Sequence, residues 1–265
     1  MVGDFCFCPI KIKLFFVSLA ALVSPRHGIV LMASILAIET STAACSVALS
    51  VGESRFSRYS EEPRSHTKLI MAMVDAVLVE AGITVPMLDA IAVTVGPGSF
   101  TGLRIGFATA QGLAFGAQLP VIPVSTLQVM AETYKRKYSE NDQHPGIVMP
   151  LLDARMGEFN CGGYQLNSDG QYKSVIEDQL LTTDAAGQLV ERLKPQVIVG
   201  DALALIDTAG LQQYSYQSLH PDALDLLDIA LIKQARNDVV DIGSVELVYL
   251  RGTDAWKKHT KLRTV

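Results

Sequence analysis

Residues 34–51 read SILAIETSTAACSVALSV. The segment SILAI (34–38) is short, uncharged and apolar, as a strand buried on both faces is. ETST (39–42) follows as a polar turn, and ACSVALSV (44–51) alternates enough to return as a second strand beside the first. Residues 147–165 (IVMPLLDARMGEFNCGGYQ) repeat this plan, with a strand at 147–152, a turn at 153–157 and a returning strand at 158–165. An acidic residue opens each turn, Glu39 after Leu36-Ala37-Ile38 and Asp153 after Leu151-Leu152. The two halves thus duplicate a structural plan without repeating a sequence.

Working outward, residues 53–59 are a third strand, and Pro63-Arg64 ends it. Ser65 stands as N-cap of a helix over His66–Ala81, which Gly82 closes. A strand AIAVTV (90–95), a loop GPGSF (96–100) and a helix over 101–115 come next. A short strand at 121–124 leads to Ser125, which caps a helix reaching Lys137. The polar stretch YSENDQHPG (138–146) is the best boundary between lobes. Beyond the second strand–turn–strand, helices are expected at 184–193 and Ala223–Ala235, with a strand at 196–199 between them. Strands joined by crossover helices in two lobes give an α/β class with mixed sheets and flanking helices. The expected division is a leader at 1–32, a first lobe at 33–138, and a second lobe at 139–265 that includes the C-terminal helix and tail.

Composition limits what such a chain does. Its 265 residues carry 22 Lys and Arg against 27 Asp and Glu, a net charge of −5, which argues against holding nucleic acid by bulk charge. Hydrophobic residues make up 49% and charged residues 18%, with mean hydropathy +0.28, which excludes a disordered chain. The apolar excess belongs in a core, a membrane or a partner. Leu14 to Val23 is apolar and follows Lys11 and Lys13, but it is too short to span a bilayer, which needs roughly 20 residues. It has the outline of a signal peptide, but the Ser24-Pro25-Arg26 after it is a poor cleavage context. Residues 1–32 read better as an upstream extension, with the functional start at Met32. Without them the charge is −7, since they hold three cations and one acid. The remaining residues are still about 47% apolar. Cys45 and Cys161 are isolated, with neither disulfide nor zinc spacing, and fit a reducing compartment and ordinary core packing.

Candidate chemistry is sparse. The loop GPGSFTG (96–102) lies between a strand and a helix, where an anion could bind, yet it matches no phosphate cradle and could equally be a tightly packed turn. In the helix behind it, Gly102, Gly106 and Ala110 recur every four residues, and Ala108, Gly112 and Gly116 repeat that spacing on an adjacent face. Glycine in a helix interior costs up to about 1 kcal/mol relative to Ala, so another backbone must come close. The helix His66–Ala81 has a core stripe of Leu69, Ile70, Met73, Val77 and Leu78, but Met71, Ala72, Ala76 and Val79 leave little polar face. Such a helix is buried on both sides, either inside the lobe or under another protein. The five histidines show no i, i+4 pair and no HExxH, and no GxSxG elbow occurs. Glu39 and Asp153 could face each other and hold a Mg²⁺–nucleotide, or could be satisfied locally.

Several segments together resemble one family. ILAIETSTAACSVAL (35–49), PRSH (63–66), VGPGSFTGLRIG (95–106), AQGLA (110–114), residues 123–126, DARMGE (153–158), VYLR (248–251) and AWKK (255–258) are similar to the TsaB family of glycoprotease-like proteins in the actin-like ATPase superfamily. The resemblance implies a two-lobed actin-like (RNase H-like) fold and a role in forming threonylcarbamoyladenosine in tRNA. It implies a non-catalytic subunit in the cytoplasm, not in a membrane; the alternative is an enzyme acting alone, an actin-like small-molecule kinase or a metalloprotease-like hydrolase. That subunit pairs with TsaD, assembles with TsaE, homodimerises when alone and meets tRNA indirectly. The complex uses ATP, and no cofactor or metal is expected on this chain. Glu39, Thr40 and Ser41, with Asp153 opposite, would be a vestigial nucleotide site; the family more often carries Asp where Glu39 stands. TsaD binds its metal through a His pair whose matching positions here are Thr126 and Met130. The family's partner surface is a bundle of the two first-lobe helices. This places Leu69, Ile70, Met73, Leu103, Gly106, Phe107 and Ala110 at or next to the contact.

Overall fold

The computed structural model describes residues 33–62, 64–138, 146–167, 170–201 and 203–251. The leader, most of the boundary stretch and the AWKK segment lie outside these residues.

The first sheet contains β1 (Ile35–Glu39), β2 (Cys45–Val51), β3 (Ser54–Ser60), β4 (Ala90–Gly96) and β5 (Val121–Ser125) in the order β3-β2-β1-β4-β5. β1 pairs antiparallel with β2, opposing Leu36 to Leu49, and parallel with β4, opposing Ile38 to Val93. Every residue of β1 is buried, which its apolar run permits and its two neighbours require. The second sheet holds β6 (Ile147–Arg155), β7 (Glu158–Leu166), β8 (Tyr172–Thr182), β9 (Val197–Gly200) and β10 (Tyr216–Ser218) in the order β10-β9-β6-β7-β8. Read from its other edge this is the same order as the first sheet. β6–β7–β8 are antiparallel, and β9 and β10 add in parallel. The duplicated plan of the sequence is therefore a duplicated α/β sheet, in two lobes.

Alternation along β1 decides what covers the first sheet. Leu36 and Ile38 face α1 (His66–Ala81) and α2 (Phe100–Ala117), joining Ile70, Val74, Val77, Ala110 and Ala114. Ile35 and Ala37 face the other way, toward Ala223, Leu226, Leu227 and Ala230 of α6 (Ala223–Ala235). The helix α3 (Thr126–Tyr138) lies instead on the second sheet, where Leu127, Met130 and Tyr134 pack with Val148, Leu152 and Tyr172. α4 (Thr183–Leu193) and α5 (Leu203–Thr208) cover the opposite face.

The strands of each sheet come from one half of the chain, as do α1, α2, α4 and α5, whereas α3 and α6 are exchanged. α3 crosses to the second sheet and α6 to the first, because each sheet has two apolar faces and its own crossover helices cover only one. Arg136 fixes the exchange. Its guanidinium donates from Nε to Asp225 at 2.8 Å and from the terminal nitrogen to Asp222 at 2.7 Å, tying α3 to α6. The chain after α6 runs along the first lobe as far as Val248, and Arg251 then donates to the Ala154 and Arg155 carbonyls of β6. Val240 bridges Val121, Ile242 enters the core beneath α1 and α2, and the Val248 amide donates to the Val95 carbonyl at 2.7 Å. No helix among the described residues is long and apolar enough to cross a membrane.

Candidate functional site

α1 and α2 begin at the same end of the first sheet. The His66 imidazole Nε2 lies 3.0 Å from the Thr42 carbonyl and 3.1 Å from that of Ala44, and the Ser99 amide donates to the Ser41 carbonyl at 2.7 Å. Ser65 occupies the start of α1, but its hydroxyl does not cap the helix and donates back to the Glu62 carbonyl at 2.6 Å. Ser99 does cap α2, accepting from the Gly102 amide at 3.2 Å. The glycine loop is therefore a packing device. The Ser99 and Gly102 amides are spent on protein acceptors, and a Cβ on Gly98 or Gly102 would collide with the Ser41 or Thr40 carbonyl.

The same reason governs Gly106. A Cβ there would overlap Thr40 Oγ1, with Ile38 Cγ2 3.6 Å away. The Gly102–Gly106–Ala110 stripe seats α2 on its own hairpin and faces inward. Ile70, Leu103, Gly106 and Ala110 are buried in the lobe's interior, beneath the outer face of the two helices. Leu69, Met73 and Phe107 are half-buried at the margin; Met73 Sδ lies 4.0 Å from Cys45 Sγ. The outward stripe is the other one. Gly112 and Gly116 have nothing within 4 Å of a Cβ. Beside them Phe115 is 80% exposed, and on the neighbouring helix Val79 is 80% exposed and Met71 45%. Val79 and Phe115 are thus large apolar side chains left in water on the last turns of α1 and α2. The lack of a polar face marked α1 in the sequence; nothing in the spacing singled out Phe115.

The hairpin residues are closed on themselves. Glu39 is fully buried, and its Oε1 accepts from the Ser41 amide at 2.6 Å and from the Ser41 hydroxyl. The Thr40 hydroxyl donates to the Gly102 carbonyl at 2.8 Å. In the second lobe, Asp153 accepts from the Arg155 amide at 2.7 Å and the Arg155 guanidinium at 3.2 Å, while its own amide donates to Asp201 at 2.7 Å. Asp153 lies within β6, before a turn that is only Met156-Gly157 and not the expected 153–157, and each of the two acidic residues takes its partners from its own lobe. The Glu39 carboxylate already occupies the donors that an anion would use.

The matching family model is that of TsaD, tRNA N6-adenosine threonylcarbamoyltransferase, over residues 60–241. The tRNA threonylcarbamoyladenosine biosynthesis protein TsaB of Escherichia coli is 38% identical, over 84% of this chain and 97% of its own length. That of Haemophilus influenzae is 34% identical, over 85% and 96%. A Pseudomonas aeruginosa structure described as an uncharacterized protein with similarity to peptidase YEAZ superposes with TM-score 0.73 at 34% identity, covering 83% of this chain and all of that one. The chain belongs to the TsaB family.

In this TsaB-family chain, Thr126 and Met130 are fully buried in the seat of α3, and the Met130 methyl packs over Gly200. Neither side chain reaches solvent. Ser125 caps that helix, accepting from the Leu127 amide at 3.1 Å. Among the described residues no three His, Cys, Asp or Glu side chains gather as a metal-holding group. Cys45 and Cys161 are buried free thiols, pushed up to about 11 and about 12 chiefly by burial, and so are inert.

Burial likewise pushes the Glu39 carboxyl up to about 6, against the opposing hydrogen bonds from Ser41. Between the ordinary 4.5 and about 6 the folded chain holds a proton that the unfolded chain has released, so stability falls as pH rises through that window. Glu39 Oε2 also lacks a partner. Glu39→Gln keeps an acceptor for Ser41 and removes the buried charge. The expected gain at neutral pH is on the order of 2 kcal/mol. Urea melts across pH check this: the gain shrinks to nothing below 4.5, and a loss at neutral pH contradicts the reading.

Proposed function

We propose that this chain is a non-catalytic scaffold and activating subunit of the threonylcarbamoyladenosine-forming complex. It pairs with TsaD through the outer face of α1 and α2 and enables threonylcarbamoyl transfer to the tRNA adenosine next to the anticodon. The observation that carries the reading is the exposure of Met71 and Val79 on α1 and of Phe115 on α2, beside the open Gly112 and Gly116, on a chain of the TsaB family. A lone chain gains nothing by exposing such a face, whereas a partner helix pair buries it and fits close over glycine. The closed hairpin around Glu39 supports the non-catalytic role, as do apolar or hydroxyl side chains where TsaD has metal-binding histidines. ATP is then consumed by other members of the complex, TsaE joins through the TsaB–TsaD pair, and the assembly works in the cytoplasm. Without TsaD the same face closes a homodimer, since a patch on one side of the chain is self-complementary under two-fold symmetry.

Sedimentation velocity tests the pairing. Alone, the chain sediments as a dimer; with equimolar TsaD it shifts into a heteromer at the expense of that dimer. Two species that sediment independently contradict the proposal.

A further inference from the structure

The chain passes between the lobes first from β5 into α3 and again from β10 into α6. Two such crossings let one lobe pivot against the other about the line that joins them. A third tie, anchored on other elements, stops the pivot. Residues 245–251 make such a tie.

Their first-lobe end has a prepared seat. Val245 and Leu247 pack against the core beneath α1 and α2, and the Val248 amide donates to the Val95 carbonyl at 2.7 Å. Gly96 makes room for that contact: its φ is +118°, and a Cβ on it would overlap the Val248 carbonyl. Tyr249 then lies on the first turn of α2. Its ring centroid is 5.5 Å from that of Phe100, and its hydroxyl accepts from Arg104 Nε at 3.2 Å.

The second-lobe end is a single guanidinium. One terminal nitrogen of Arg251 donates to the Ala154 and Arg155 carbonyls, each at 3.0 Å, and to the Glu158 carboxylate. The other lies 3.5 Å from Met156 Sδ. An exposed ion pair alone would contribute little. Arg251 is mostly covered, with 22% of its side chain exposed, and two of its acceptors are backbone carbonyls.

The turn between β6 and β7 is shaped to offer those carbonyls. A two-residue hairpin turn needs positive φ only at its central pair, here Met156 at +59° and Gly157 at +73°. Arg155 adds a third left-handed residue, at +69°. That conformation is costly for a non-glycine residue, and the turn does not require it. It coincides with a register shift between Asp153 and Arg155 in the β6–β7 pairing, and such a bulge re-aims the backbone. The Ala154 and Arg155 carbonyls thereby converge on one nitrogen of Arg251.

We propose that residues 245–251 are a latch that holds the two lobes at a fixed angle, with Arg251 as its catch. Releasing the catch frees the second lobe to pivot about the α3 and α6 crossings and loosens the strap on β4. The latch acts within the chain itself and depends neither on pairing with TsaD nor on threonylcarbamoyl transfer.

The test uses the full chain with Cys6 and Cys8 replaced by Ser; Cys45 and Cys161 are buried and stay unlabelled. Spin labels are placed at Lys68→Cys on α1 and Glu191→Cys on α4, both exposed positions, and their separation is measured by pulsed electron resonance. Wild type gives one narrow distance distribution. Arg251→Ala and, separately, Tyr249→Ala release opposite ends of the latch, and each broadens the distribution. Glu158→Gln removes only the charge that the catch meets and broadens it less. Hydrogen exchange supplies a second readout. In Arg251→Ala the Val248 amide, fastened to the first lobe, exchanges about tenfold faster or more, whereas a purely local role for Arg251 would loosen the 154–158 turn alone. All three variants change partly exposed side chains and melt close to wild type. A broad distribution in wild type overturns the proposal. So does a distribution as narrow as wild type in both Arg251→Ala and Tyr249→Ala, or an unchanged Val248 amide in Arg251→Ala.

Discussion

Phe115→Glu, or Gly112→Arg, is expected to weaken the proposed pairing with TsaD strongly while leaving the isolated chain folded. Phe115 is 80% exposed, so a carboxylate there costs the free chain little, but in a closed interface it would be a buried unpaired charge. Gly112 has open space over it, so an arginine fits the free helix and even improves it, by up to about 1 kcal/mol over glycine. The same side chain holds a partner helix away. We expect pairing to weaken by about 30-fold or more for either change, the loss of a hot-spot contact of roughly 2 kcal/mol or more. Calorimetric titration with TsaD measures it, with thermal melting as the control. Normal pairing by both variants would remove the face from the account.

Gly106→Leu does the opposite. The sequence places this glycine at or next to the contact, where a bulky side chain would block the partner and spare the lobe. The structure puts it against Thr40 Oγ1, where even a Cβ does not fit. Leu must push α2 off the hairpin that joins β1 to β2, and overpacking of this kind costs about 3 kcal/mol or more. The expected result is a chain that is largely insoluble or melts far below wild type, before pairing can be asked about. Gly106→Ala is milder, and adding Thr40→Ala, which removes the obstructing hydroxyl, recovers part of the loss. Equal stability of Gly106→Leu and wild type would contradict the packing described.

These two glycines show where sequence reasoning reaches and where it stops. Six residues apart on one helix, both belong to four-residue small-side-chain stripes, and one faces the hairpin while the other faces water. Periodicity separates an apolar face from a polar one, but α2 is apolar nearly all round, so inward and outward stripes look alike. The strands and helices of the first lobe were legible because residues 34–38 are uncharged throughout and Ser99, Ser125, Gly82 and Pro63 punctuate the lobe clearly. β8 was not. Its residues YKSVIEDQLLT form an edge strand, mostly half-exposed and rich in charge, and so carry little of the alternation that marks a strand. The crossing of α3 and α6 between sheets was also invisible, because a helix's apolar stripe shows that it packs but not on what. Glu39 ends β1 as expected, but Asp153 lies within β6 and the turn after it is only Met156-Gly157. Only the side-chain geometry shows Glu39 turned back onto Ser41 in place of a phosphate.

The central claim is that this chain is required by, but does not perform, threonylcarbamoyl transfer. Its most direct test is reconstitution with residues 32–265, TsaC, TsaD and TsaE, given tRNA, threonine, bicarbonate and ATP, with threonylcarbamoyladenosine measured by mass spectrometry of digested tRNA. The account predicts modification with the chain present, none when it is omitted, and none when it is supplied without TsaD. Modification that proceeds unchanged in its absence would contradict the claim.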